Sequence, residues 1–398
     1  MKKIEYTAIK GNSLAYYGLL GGLGLVMLIG LLAVWHMEHN GHYVTGMTNQ
    51  IVWGMPHVFA VFLIVAASGA LNVASIASVF RKEDYEPLAR LSGLLAIALL
   101  AGGLVVLLLD LGRPDRLIVA MTYYNFKSIF AWNIILYTGF FAIVGVYIWF
   151  MMDHSMYRFK KQAGLAAFVW RLILTTGTGS IFGFLVARSA YDAALMAPMF
   201  IIMSFSFGLA IFILVLMASY NWTGRELGDE VVSRLRNLLG VFVAAVLYFV
   251  IVYHLTNLYI TEHHGVEKFI LLEGGQFTKV FWIGQIILGG LVPLALIYAP
   301  GVRNCRKTLA VICTLIVIGG LSTMYTIIIG GQAYPLEMFP GYEVSSTFFD
   351  GVVNDYTPSI YEIALGVGGV AVSLVIVAFV IKVLPFPVSY THLRAHET

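Results

Sequence analysis

Ten long apolar stretches divide this chain, and the basic residues between them alternate between dense and sparse from one connection to the next. The stretches run over residues 14–37, 56–80, 91–109, 128–150, 172–188, 197–219, 238–258, 281–299, 308–329 and 360–383. Most hold the ~20 apolar residues that carry an α-helix across a hydrocarbon core of about 30 Å. The two ends and every second connection together carry 18 Lys and Arg, while the remaining connections carry 6. Short segments that keep Lys and Arg stay on the cytoplasmic side, so both termini are expected there, with the chain in the cytoplasmic (inner) membrane. The opposite face is chemically distinct: 12 carboxylates stand there against the 6 bases.

Composition supports the same conclusion, because 60% hydrophobic and 11% charged residues with a mean hydropathy of +0.86 lie far from the averages of a soluble domain. A nucleic-acid partner is not expected; the partner that composition demands is the lipid bilayer. Met1-Lys2-Lys3 precedes the first apolar stretch, but that stretch is too long for a signal-peptide core and no small-x-small cleavage site follows it, so it reads as a retained helix. Only Cys305 and Cys313 occur, too few for the four thiolates of an iron–sulfur cluster, so no cluster is expected in this chain, and no haem is expected either, since only His57 and His254 could pair as ligands and both lie near the same face.

The fold class is therefore an all-α membrane protein of about ten transmembrane helices. Spans 2 and 6 open alike, with Met55-Pro56-His57-Val58-Phe59 against Ala197-Pro198-Met199-Phe200. Proline in a first helical turn lacks an N–H that would be unpaired anyway. The likeness suggests two four-helix bundles, spans 2–5 (about 56–188) and 6–9 (about 197–329), with one flanking helix at each end. Residues 1–387 form one polytopic domain on this reading, and 388–398 read as a non-native tail. The long connection 330–359 lacks Lys and Arg and contains Tyr334-Pro335, Phe339-Pro340-Gly341 and Thr357-Pro358, which predicts an irregular cap on the acidic face. Glycines 18, 21, 22, 24, 179, 183, 366, 368 and 369 are assigned to close helix packing. Trp35, Trp53, Trp132, Tyr123 and Tyr124 are assigned to an interfacial aromatic belt, any of them also free to face a bound ring.

Seven of the ten histidines (His36, His39, His42, His57, His254, His263 and His264) fall on the acidic half. Groups that change charge near neutral pH, gathered at one leaflet, suit exchange of protons with a lipid-dissolved redox carrier. His57 stands out, since it sits just inside the apolar boundary where a lone imidazole is costly unless paired or useful. Asp110-Leu111-Gly112-Arg113-Pro114 at the end of span 3 is the second feature, readable either as a local ion pair or as a proton port. Asn72, Ser75, Ser78, Thr175, Thr176, Thr178 and Gln285 are expected to hydrogen-bond between helices, while Arg171, Arg188 and Glu362 are placed at span ends where their stems reach the interface.

Trp53-x-x-Pro56-His57, the Asp110-to-Pro114 segment and ten helices together resemble the NrfD/PsrC family of quinone-interacting membrane subunits, over essentially residues 10–385. Within it, His36-x-x-His39 followed by Asn40-Gly41-His42 looks most like the DsrP-type subunit of sulfite-reduction-associated complexes. The resemblance implies a menaquinone or other quinone bound near the outer face in the first bundle, with electrons passing to or from a periplasmic ferredoxin-like iron–sulfur subunit. A multihaem cytochrome c and a second membrane subunit are further partners it admits. Carried over by position, His57 hydrogen-bonds a quinone oxygen, Trp53 lies against the ring, Asp110 exchanges protons with outer water and Arg113 holds that loop; Asn49 and Tyr124 complete the pocket. Two other readings stay open from the residues: a b-type cytochrome anchor using His57 and His254, and a secondary transporter built on the repeat.

Overall fold

Lipid offers no partner to a backbone N–H or C=O, so each apolar stretch must satisfy its own groups by forming a helix. The computed structural model, which describes residues 6–7, 13–80, 82–300, 305–336, 351–384 and 386–387, contains ten such helices. They are α1 (Leu14–Asn40), α2 (Met55–Ser78), α3 (Glu86–Leu109), α4 (Ile129–Met152), α5 (Tyr157–Gly183), α6 (Met196–Trp222), α7 (Asp229–Tyr259), α8 (Gln276–Tyr298), α9 (Arg306–Ala333) and α10 (Ile360–Val383). The chain is a multi-pass, all-α integral membrane protein. Among the described residues, the one β pairing joins Tyr6–Thr7 antiparallel to Phe386–Pro387, which puts these two segments at one face.

Helices α2–α5 pack in a ring, as do α6–α9, and the rings meet through α2 against α6, α5 against α6 and α2 against α9. Helix α10 lies on α3 and α2, and α1 lies chiefly on α10. Close approach of the rings depends on two glycines: a Cβ on Gly69 would sit 1.5 Å from the Ser204 carbonyl oxygen, and one on Gly208 would sit 2.2 Å from the Ala70 nitrogen. Glycines 179, 183, 366, 368 and 369 likewise face neighbouring chain, as expected. Gly18, Gly21, Gly22 and Gly24 do not, since a Cβ there would meet nothing within 4 Å. Helix α1 turns that side away from the fold, so these four glycines pack against nothing among the described residues, whereas Gly30 on the other side meets Ala364 and Gly368 of α10.

The expected spans fall within or beside the helices except the fifth. Helix α5 begins fifteen residues before the expected start and ends at Gly183, because Lys160, Lys161 and Gln162 depress its hydropathy, the lowest of the ten at 1.4. Arg171 consequently lies midway along α5 and is 3% exposed, not at a span end. No stem reaches water from there. Its Nη1 instead donates to the Ser68 carbonyl (3.0 Å) and to Asn72 Oδ1 (2.6 Å), and its guanidinium lies over the rings of Phe168 and Phe205. Thr175 donates to Ser68 Oγ and Asn72 to the Phe205 carbonyl, so these polar groups do join helices. Ser75, Ser78, Thr176 and Thr178 turn back onto carbonyls of their own helices.

At the acidic face the connections interlock, which holds the helix ends in register. Glu362, expected to reach the interface, is wholly buried instead. It forms the capping box of α10 with Ser359, and its carboxylate also accepts from the Gly46 N–H (2.8 Å) and the Tyr356 hydroxyl (2.5 Å). Burial, and then that bond to Glu362, hold the Tyr356 phenol well above its ordinary range. The Tyr356 hydroxyl in turn accepts from the Met55 N–H at 2.7 Å, fixing the first residue of α2. The cap segment with Phe339-Pro340-Gly341 and the tail 388–398 lie outside the described residues.

Candidate functional site

Helix α2 starts at Met55 and α3 ends at Leu109, so the antiparallel pair brings His57, in the first turn of one, beside Asp110, the C-cap of the other. His57 Nδ1 lies 2.8 Å from Asp110 Oδ2, the imidazole N–H donating to the carboxylate. The Asp110 side chain is 2% exposed and that of His57 17%. Each charge of this pair would sit at the helix end whose dipole opposes it, so contact with the partner, not the backbone field, secures both. Asp110 Oδ1 is buried and accepts no hydrogen bond from the described residues. With Nδ1 engaged, Nε2 is the imidazole atom left for a ligand.

The Trp53 indole stacks on the His57 ring, with centroids 5.6 Å apart and planes 17° from parallel. It is half-buried among Phe130, Phe182 and Tyr191, so it belongs to the site and not to the surface belt. The backbone that carries it has no regular structure from Met47 to Gly54, and its groups are met by Gln332 of the other ring, by Arg188 from the connection after α5 and by its own Thr48. Gln332 at the end of α9 accepts from the N–H groups of Val52 (2.9 Å) and Trp53 (3.0 Å) and donates to the Trp53 carbonyl (3.0 Å). Arg188, expected to snorkel, donates to the carbonyls of Gln50 and Gln332. Gln50 is buried and donates into the Gln332–Tyr334 turn. Gly54 allows the final approach: a Cβ there would fall 2.4 Å from Glu362 Oε1 and 2.9 Å from the Tyr356 hydroxyl.

Trp53, His57 and Asp110 therefore converge. The other candidates do not join them. Arg113 pairs with Asp115 (2.9 Å) on the surface, its guanidinium holding the Asp115 carboxyl below the usual carboxylate range. Leu111 and Gly112 separate Arg113 from the Asp110 cap, and its guanidinium is taken up by Asp115, not by the Asp110 carboxylate. Asn49 is exposed beside buried Gln50, and Tyr124 stacks on Phe126, whose ring meets Trp132. Gln332, Gln50 and Arg188 escape sequence reasoning because each is an ordinary polar residue near a helix end, with partners more than a hundred residues away.

A second carboxylate-bound histidine occupies the other ring. His254 Nδ1 on α7 lies 2.7 Å from Glu267 Oε2, and Asn257 donates to Glu267 Oε1 at 2.9 Å. His57 and His254 thus sit in separate rings, each against its own acid. No cluster of three or more His, Cys, Asp or Glu suited to a metal occurs among the described residues.

Known proteins share this architecture's sequence along most of its length. The chain is 28% identical over 386 residues to the Hdr-like menaquinol oxidoreductase integral membrane subunit of Archaeoglobus fulgidus, covering 96% of each. It is 23% identical to a selenate reductase subunit of Mesobacillus selenatarsenatis, over 94% of this chain and 95% of that protein. It is 22% identical to a polysulfide reductase polypeptide of Wolinella succinogenes, over 72% of this chain and 96% of that protein. Residues 43–335, which hold both histidine–carboxylate pairs and Gln332, match the family model described as polysulphide reductase, NrfD, and the chain belongs to that family.

Proposed function

We propose that this chain is the quinone-binding membrane subunit of a respiratory oxidoreductase complex and that Trp53, His57 and Asp110 form its head-group site. The observation that carries the reading is the buried His57–Asp110 hydrogen bond of 2.8 Å beneath the Trp53 indole. A quinol head group offers hydroxyl donors, a ring face and two removable protons. The site answers each: Nε2 of His57 accepts from a hydroxyl, Trp53 lies against a ring, and the unpaired Asp110 Oδ1 accepts a further donor. Relatives named as menaquinol oxidoreductase, selenate reductase and polysulfide reductase components support the assignment, with menaquinone the favoured carrier.

In the oxidising direction one quinol loses two protons and two electrons to become quinone. His57 takes the two protons one after the other at Nε2, passing a proton from Nδ1 to Asp110 each time, and the Nδ1–H bond to Asp110 stabilises the imidazolium formed in between. Asp110, at the helix end, then returns the proton to water at the acidic face. The electrons leave to a redox subunit docked on that face, of the ferredoxin-like iron–sulfur type. The basic face, and with it both termini, is cytoplasmic on this reading, following the Lys and Arg distribution. Sulfur-compound respiration of the DsrP type is the metabolic setting that the outer His36–His42 segment favours.

The test is binding of a menaquinol analogue to the intact complex, followed by quenching of tryptophan fluorescence, with quinol-linked electron transfer measured in parallel. Asp110→Asn keeps a hydrogen bond to His57 and removes the charge, so the complex assembles while turnover falls by about 10²–10⁴-fold, the range of a lost acid–base group. Normal turnover in Asp110→Asn, or unchanged quenching in Trp53→Leu, refutes the site.

A further inference from the structure

A cavity opens between α6, α7, α8 and α9 in the second ring, lined by His254, Glu267, Tyr253, Gln285 and Thr326 among apolar residues. Two observations mark it as built for a polar occupant. Gln285 is 8% exposed, lines the cavity, and its Oε1 accepts no hydrogen bond from the described residues. In addition, all three π-helical segments among the described residues border this cavity: Phe269–Glu273 through Ile270, Val280–Leu291 through Phe281 and Gln285, and Thr326–Gly330 through Thr326 and Ile327. A π-turn costs regular helical geometry and recurs where side chains must be re-aimed at a functional site.

Size and chemistry select the occupant. The space available to water is about 40 Å³, whereas one water needs roughly 10–15 Å³ of such space, so about three waters fit and a quinone ring does not. Glu267 is 1% exposed and accepts from His254 and Asn257. Among titratable side chains, Tyr253 touches the His254 ring edge-on while donating to the Ala190 carbonyl, and His263 lies 3.3 Å from Asn257 Oδ1. Helices α6, α8 and α9 present only neutral groups to the cavity: Met196, Met199, Phe281, Gln285, Thr326 and Ile327. One carboxylate and one imidazole, with the Tyr253 phenol beside them, are therefore the ionisable groups that line the cavity.

We propose that His254, Glu267 and Gln285 form a hydrated proton-binding site in the second ring, separate from the Trp53–His57–Asp110 site. Hydronium in the cavity gives one proton to His254 Nε2 and leaves as water; no electrons move, and the site gains one positive charge. The Nδ1–H bond to Glu267 holds the imidazolium, and Gln285 Oε1 accepts from the water.

Proton uptake by the full chain in quinone-free detergent or lipid decides the matter, read with a pH indicator in weak buffer and by acid-minus-alkaline infrared difference spectra. In Glu267→Gln, whose one carboxamide oxygen can still accept from His254 while the charge is removed, and in His254→Gln, uptake across the neutral range should fall by about one proton per chain, with loss of one imidazole band. Asp110→Asn should leave that band in place. Because the assay contains no quinone, failure of the quinone site leaves its outcome unaffected. Uptake and spectra of folded Glu267→Gln equal to those of the unsubstituted chain, or a quinone head group found seated in this cavity, overturn the proposal.

Discussion

Gln332 makes the most exacting prediction, because it lies on α9 in one ring yet holds the backbone of Trp53 in the other. Its side chain makes four hydrogen bonds, to the N–H groups of Val52 and Trp53 and to the carbonyls of Trp53 and Ile328, at 2.8–3.0 Å. In Gln332→Ala the Ile328 carbonyl keeps the Tyr191 hydroxyl at 2.7 Å, so that loss is small. Val52 is exposed, and its N–H can turn to water. The N–H and C=O of Trp53 are left, at about 1–3 kcal/mol for each buried group deprived of its partner, a total near 2–6 kcal/mol. Chain mobility then spreads to the indole. Thermal unfolding of the purified chain should shift down by several degrees, and the affinity for a menaquinol analogue should drop by about 10-fold or more as the ring loses a fixed platform. Gln332→Glu should rescue neither, since a buried carboxylate accepts both N–H groups but cannot donate to the Trp53 carbonyl. An unchanged melting midpoint together with unchanged affinity in Gln332→Ala refutes the idea that the second ring positions the site.

Gly54→Ala should cost about 1–3 kcal/mol as the new methyl meets Glu362 and Tyr356, visible as a lower unfolding midpoint, whereas Gly18→Ala on the open side of α1 should not lower it. A double-mutant cycle of Arg171→Met and Asn72→Leu should show a coupling energy of about 0.5–3 kcal/mol, since the guanidinium and the amide are direct partners; additive effects would place Arg171 elsewhere. Arg113→Ala should leave both unfolding and turnover unchanged at moderate salt. Any contribution of its surface pair is present at neutral pH and fades as acid protonates Asp115, whose folded carboxyl titrates below its unfolded value.

How far the chain announces this arrangement depends on the range over which each signal acts. Span positions, the acidic face and the candidacy of His57 and Asp110 follow from hydropathy, charge and the cost of an ionisable group at an apolar boundary, all local properties. Their pairing is not local: Asp110 has a base three residues on, and only the antiparallel packing of α2 and α3 shows that His57, 53 positions earlier, is the partner. Hydropathy misplaces Arg171 because two lysines and a glutamine blur the start of α5, so a residue in mid-helix reads as a terminus. Glu267 reads as a surface carboxylate because nothing in the connection after α7 signals that the turn His264–Lys268 folds back to bury it. The ligands of irregular backbone, Gln50, Arg188 and Gln332, carry no periodic mark at all.

The two histidine–carboxylate pairs are not isolated from one another. Ala190 lines the cavity beside His254, and the next residue, Tyr191, stacks toward Trp53 at 6.4 Å. Gly331 lines the same cavity, and the next residue, Gln332, holds the Trp53 peptide. The two bridges also touch, since the Tyr191 ring lies where a Cβ on Gly331 would be, and its hydroxyl donates to Ile328 in the π-turn. Energetic coupling between sites requires a contiguous series of contacts with more than one arrangement open to it. Here that series is one residue long on each of two segments and passes through a turn whose hydrogen-bond ladder is already irregular. The end of α9 and the Trp53 peptide are thus joined by direct hydrogen bonds, the contiguous contact that any coupling between the two rings requires.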